Sequence, residues 1–181
     1  MEYTGCISST KPSKYFSKDF LDSSLFKLIP DGYDICYNIF DDAADMIFIQ
    51  FYLYDSTVPL KNITNEDVIS SIHIHFNKPY KWSYNWTPLH NNVLHIPELT
   101  TNYDLVGFDL TGGGIGTFMI LCVMEYSKSQ NLHYALLYDA SDGFRNENNI
   151  YTKIGFKYMN DTGHDMIGKV DEIYNYITRF I

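Results

Sequence analysis

Apolar residues recur along the chain with two different periods, and the switches between them divide it into elements. Over residues 13–28, Tyr15, Phe16, Phe20, Leu21, Leu25, Phe26 and Leu28 return at steps of three and four, which predicts an amphipathic helix ending at Pro30-Asp31-Gly32. Residues 33–40 and 46–54 are β-rich runs separated by the polar stretch Asp41-Asp42-Ala43-Ala44-Asp45, a pattern that predicts a hairpin. Residues 58–66 carry Pro59 and read as a loop. Residues 68–76 alternate, placing Ile72, Ile74 and Phe76 on one face of a strand and His73 and His75 on the other. Residues 77–95, with Pro79, Trp82, Trp86, Pro88 and Asn91-Asn92, have no clean period and read as a long aromatic loop or an irregular hairpin.

The second half is built differently. Residues 103–109 form a short apolar strand that runs into Thr111-Gly112-Gly113-Gly114-Ile115-Gly116, and residues 117–127 are apolar on every side, as in a helix buried between a sheet and its neighbours. Residues 133–140 are a continuous apolar strand suited to a central position. Residues 146–154 predict a short helix stopped by Gly155, and residues 171–180 a last amphipathic helix. No repeat, low-complexity tract or linker interrupts the 181 residues, so a single domain spanning 1–181 is expected.

Composition narrows the function classes. A hydrophobic share of 45% and an aromatic share of 17% supply an ample core, which excludes a disordered chain. The formal net charge of −9 argues against a nucleic-acid surface, which needs clustered Lys and Arg to neutralise phosphates. An acidic surface can draw cationic substrates such as amines or polyamines, or serve solubility alone. Cys6, Cys36 and Cys122 are odd in number and unpatterned in spacing, so free thiols in a reducing compartment are expected. Neither a signal peptide nor an apolar run near 18 residues is present, which gives the expectation of a cytoplasmic protein without membrane contact. His73 and His75 point the same way from one strand, a spacing some metal sites use, but no third ligand follows at metal spacing. No Gly-x-Ser-x-Gly elbow exists to support serine hydrolysis.

The glycine turn is the strongest chemical signal. Between a strand and a helix start, it exposes backbone N–H groups and the positive end of the helix dipole where side chains are absent, the requirement for holding an anionic group. A dinucleotide fingerprint fails because the third glycine is missing beyond Gly116, and a P-loop fails because Thr117-Phe118 follows where Lys-Ser or Lys-Thr is required.

A third device fits. Residues 111–116 resemble the Arg/Gln-x-x-Gly-x-Gly/Ala loop of the general N-acetyltransferase (GNAT) superfamily, and Tyr151-Thr152-Lys153-Ile154-Gly155-Phe156 resembles the Tyr-x-Lys-Leu-Gly-Phe signature that follows it there. The two motifs lie in about 50 residues, under a third of the chain, and the family's Arg or Gln at the first loop position is Thr111 here. The resemblance implies an α/β (α+β) fold with a mixed, mostly antiparallel central sheet flanked by helices and split at the CoA-binding strand. It implies acetyl-CoA as cofactor, cradled by Thr111, Gly112, Gly113, Gly114, Ile115, Gly116 and Thr117, with Val106, Gly107 and Phe108 contacting the pantetheine arm and Asn146 and Tyr151 beside it. Gly107 permits close backbone approach, or else marks a bulge.

Acyl transfer to an amine needs the amine deprotonated, the oxyanion stabilised and the departing thiolate protonated. The resemblance places Tyr151 as the acid at sulfur; Glu98 and Asp104 are the candidate bases, with surface carboxylates and proton loss to water as the alternative. Asp109 lies too near the phosphates to suit an anion. The expected activity is N-acetyl transfer to a primary amine, small or on a protein, with the oligomeric state open. The rival is a catalytically weak or inactive GNAT-like binding or interaction module.

Overall fold

The computed structural model describes residues 4–42, 46–76, 82–84, 87–89, 93–101, 114–140 and 148–180. It contains one eight-stranded sheet and a two-stranded one. The chain makes β1 (Gly5–Cys6), α1 (Lys18–Leu21), β2 (Tyr33–Asp42), β3 (Met46–Asp55), β4 (Val68–Phe76), β5 (Trp82–Tyr84), β6 (Thr87–Leu89) and β7 (Val93–Thr101). It continues as α2 (Gly114–Ser129), β8 (Tyr134–Tyr138), α3 (Ile150–Ile154), β9 (Lys157–Tyr158), β10 (Asp165–Lys169) and α4 (Val170–Ile177). The large sheet runs β1-β2-β3-β4-β7-β8-β10-β9, and the small one is the β5–β6 hairpin. Every described pairing is antiparallel except β7 with β8. The mixed, mostly antiparallel α/β arrangement is therefore present.

The β2–β3 hairpin keeps a continuous register from Tyr33 opposite Asp55 to Asp42 opposite Met46, so the strands extend further toward the turn than their apolar content predicts. Alternation decides what each face buries. Ile35, Ile49, Phe51, Leu53, Ile72, Ile74, Leu94 and Ile96 turn to one side and meet α2, α3 and α4 in the main core. Tyr52, Tyr54 and Cys36 turn to the other and join Cys6 and Ile63 in a smaller cluster. Helix α2 buries Phe118 through Met124 without a break, which is why its sequence shows no polar stripe: β4, β7, α1 and α4 all pack on it.

The expected helix over residues 13–28 is corrected. Only α1 is helical there, followed by a 3-10 turn at Ser24–Leu28. Ser17 Oγ accepts from Phe20 N at 3.1 Å and Ser23 Oγ from Leu25 N at 3.3 Å, so serine side chains cap two separate short turns and divide the segment. The stripe still reported burial correctly, since Phe16, Phe20 and Leu25 lie in the core.

The aromatic segment resolves toward the irregular hairpin, with β5 pairing β6. Strands β1, β9 and β10 had no sequence expectation. No helix among the described residues is long and apolar enough to cross a membrane.

Candidate active site

The parallel ladder between β7 and β8 is short. Val93, Leu94, His95 and Ile96 stand opposite Tyr134, Ala135, Leu136 and Leu137, and pairing stops there although β7 continues to Thr101. The next residue, Pro97, has no N–H to give a neighbouring strand. On its other side β7 changes register with β4 between His73 and His75, so that Ile96 and Pro97 face the single residue Ile74, the arrangement of a β-bulge. Strand β8 stays paired with β10 through Tyr138 while its ladder with β7 ends at Ile96 and Leu137. The expected split belongs to the strand predicted at 103–109, which, with Asp104, Val106, Gly107, Phe108 and Asp109, lies outside the described residues.

Helix α2 begins beyond the end of this ladder. A Cβ on Gly116 would sit 3.6 Å from Thr101 Oγ1 and 3.8 Å from Leu99 Cδ2, so the first turn of α2 rests against the part of β7 that β8 has left. Gly114 has φ +77°, and among the described residues no atom lies within 4 Å of where a Cβ would project. The two glycines thus serve different ends: Gly114 supplies a left-handed backbone, whereas Gly116 lets helix and strand approach. Ile115 and Thr117 are buried, which leaves backbone N–H groups as what the helix start offers outward. The first turn carries no acidic residue. A left-handed glycine, a helix start of suitable charge and a strand edge that β8 has left fit the pyrophosphate and arm of a CoA-type cofactor. Thr111, Gly112, Gly113 and Asn146 lie outside the described residues.

Helix α3 carries Tyr151 as its second residue. Asn149 caps it, Oδ1 accepting from Thr152 N at 2.8 Å, and Gly155 ends it with φ +113°. Tyr151 is half-buried and packs edge-on to Phe156, ring centroids 6.3 Å apart. Phe156 and Ile154 lie in the core, so the helix is fixed from below.

Glu98 immediately follows Pro97. Its Oε2 lies 3.1 Å from His73 Nδ1, and Thr100 Oγ1 donates to its Oε1 at 3.3 Å. The carboxylate is exposed, as a group receiving a proton from a diffusing amine must be. Burial holds the His73 imidazole below its usual pKa, and the Glu98 charge pulls it partly back. Next to this pair His75 Nε2 and His95 Nδ1 are 2.7 Å apart, so one ring donates and the other accepts. Burial first, then the neighbouring His95, lower His75 to about 4. Among the described residues no group of three or more His, Cys, Asp or Glu could hold a metal ion, and His73 and His75 are engaged by Glu98 and His95.

Gly116 packs against Leu99 and Thr101 on the core side of β7, while the Glu98 side chain, alternating with Leu99, bonds His73 on the other face of the sheet. Sequence reasoning missed His95 and the cap residue Asn149. The first lies in a stretch without period; the second is the Asn of a Ser/Asn-before-helix signal, one of three asparagines at 146, 148 and 149 that the sequence leaves equivalent.

No protein family matches the sequence, and no curated protein matches it either. Solved structures do. The PaiA N-acetyltransferase of Thermoplasma acidophilum in complex with coenzyme A aligns over 69% of this chain at 18% identity with a TM-score of 0.39, and the match spans 61% of that enzyme. Tetrahymena GCN5 aligns over 68% of each chain at 17% identity and a TM-score of 0.40. A putative N-acetyltransferase from Lactobacillus plantarum aligns over 72% of this chain and 75% of its own at 12% identity and a TM-score of 0.40.

Proposed function

We propose that the chain is an acetyl-CoA-dependent N-acyltransferase acting on a primary amine. The observation that carries the reading is the coincidence of a ladder end with a glycine helix start: the β7–β8 ladder ends at Ile96 and Leu137, and Gly116 packs at Leu99 and Thr101 just beyond. Acetyl-CoA supplies a thioester, an activated acyl group with a thiol leaving group. The backbone N–H groups of Gly114 to Thr117 bind the pyrophosphate, with Thr111 in place of a basic side chain. Glu98 receives the proton of the acceptor ammonium, and the same carboxylate favours a cationic acceptor near it. The Tyr151 phenol donates its proton at the leaving sulfur.

Two measurements test this. Acetyl-CoA should bind the purified chain in calorimetric titration, and Tyr151→Phe should keep that affinity within about threefold while lowering single-turnover acyl transfer roughly 100-fold. Absence of acetyl-CoA binding ends the reading; unchanged turnover in Tyr151→Phe removes the phenol from the chemistry.

A further inference from the structure

A buried carboxylate stands at the end of β8 that neither cofactor binding nor the proposed proton transfers use. Asp139 follows Tyr138 directly and is 0% exposed. A carboxylate out of water is costly unless hydrogen bonds replace its hydration. Here Oδ2 accepts from Tyr158 Oη at 2.5 Å and from Asn149 Nδ2 at 2.6 Å. Its backbone is held as firmly: the N–H donates to His164 O at 2.9 Å, and the carbonyl accepts from His164 Nδ1 at 3.0 Å.

Asn149 turns this into a link between strand and helix. One end of its amide donates to Asp139 and lies 3.2 Å from Tyr158 Oη; the other caps α3 through Thr152 N. Rotating that amide would put an oxygen against the carboxylate and an NH2 against an N–H donor, so the orientation is forced. A helix of five residues has no stability of its own in water, and its position is whatever its ends impose. At the C-terminal end Gly155 and buried Phe156 fix it; at the N-terminal end the fixture is Asp139. Strand β8, helix α3 and the edge strand β9 converge on one oxygen atom.

We infer that Asp139, acting through Asn149 and Tyr158, is a positioning residue that fixes α3 and with it Tyr151. This rests on the acyl-transfer reading for its consequence, and on the hydrogen bonds alone for the anchoring. A displacement of the acid by about 1 Å is enough to cost on the order of 100-fold in rate without loss of cofactor binding.

The test uses the full chain and three variants, each read by amide hydrogen exchange, acetyl-CoA affinity and single-turnover rate. In Asp139→Ala, exchange of the amides of residues 152–156 should rise about tenfold or more while the β2–β3 amides keep their protection. The rate at saturating acetyl-CoA should fall roughly 30- to 100-fold with affinity within about threefold. Asp139→Asn keeps an acceptor oxygen and should recover the rate to within about tenfold of wild type; Tyr158→Phe, which removes one donor, should fall between. Should Asp139→Ala fail to fold, the other two variants carry the comparison. Unchanged protection of α3, or protection lost evenly over α3 and β2–β3, overturns the anchor, and a loosened α3 with unchanged rate overturns its positioning role. If wild type binds no acetyl-CoA, the acyl-transfer reading falls and the exchange data alone decide whether Asp139 anchors α3.

Discussion

Gly116→Ala should stabilise the protein and leave cofactor affinity alone, whereas Gly114→Ala should do the reverse. A Cβ at Gly116 would meet Thr101 Oγ1 at 3.6 Å and Leu99 Cδ2 at 3.8 Å, ordinary contacts that need no adjustment. Burying one methyl group is worth about 0.8 kcal/mol, and replacing glycine in a helix by alanine up to about 1 kcal/mol, less in the first turn. A net gain of about 0.5–1.5 kcal/mol follows, which raises the melting temperature by roughly 2–4 °C per kcal/mol for a chain of this size. Because that methyl points at β7, the N–H groups remain as accessible as before. At Gly114 the φ of +77° costs an alanine about 1–2 kcal/mol, and the new side chain projects at the helix start, where no described atom lies within 4 Å. Asparagine tolerates the left-handed region, so Gly114→Asn separates the two effects: stability returns toward wild type, while acetyl-CoA affinity stays at least about tenfold weakened. Differential scanning fluorimetry and calorimetric titration read both quantities. A Gly116→Ala protein that is destabilised by more than about 1 kcal/mol, or a Gly114→Asn protein with native affinity, refutes the assignment of the two glycines.

Three further outcomes are expected. Tyr126 is 0% exposed among Phe16, Phe20, Phe51 and Phe76, and no described residue partners its hydroxyl; Tyr126→Phe should therefore stabilise the fold by about 1 kcal/mol in urea denaturation, and a comparable loss would mean that the hydroxyl is satisfied. His75 is held at about 4 and His73 and His95 below their usual values, so the unfolded chain, titrating near 6.5, takes up protons first; stability is complete above about pH 6.5 and declines as pH falls toward 4, a slope that His75→Gln should reduce and that a flat melting profile would contradict. Cys6, Cys36 and Cys122 are buried and burial pushes each thiol pKa up, so Ellman's reagent should label none rapidly in the native protein and all three after denaturation; fast native labelling would place a thiolate at the surface.

Much of this protein is local enough to be legible in one dimension. The β2–β3 hairpin, the alternation that sends Ile72 and Ile74 inward and His73 and His75 outward, the buried helix after the glycines and the stop at Gly155 all follow from side-chain period and backbone allowance. Those are properties of neighbouring residues. The glycine turn and the Tyr151 motif are local in the same sense, so an anionic-cofactor site could be proposed before any coordinates. What required the folded chain is everything set by contacts between distant residues. Serine caps decided that the stripe over 13–28 becomes two short turns. Pro97 says only that one N–H is missing; that the β7–β8 ladder ends one residue before it, while β7 stays paired with β4 to Thr101, depends on which strands flank β7. The pairing of Glu98 with His73 and of His75 with His95 depends on register across β4 and β7, and the meeting of Asp139, Asn149 and Tyr158 on the end of a strand. Such groups become neighbours only when burial of the apolar faces fixes which strands adjoin, and no periodicity records that choice.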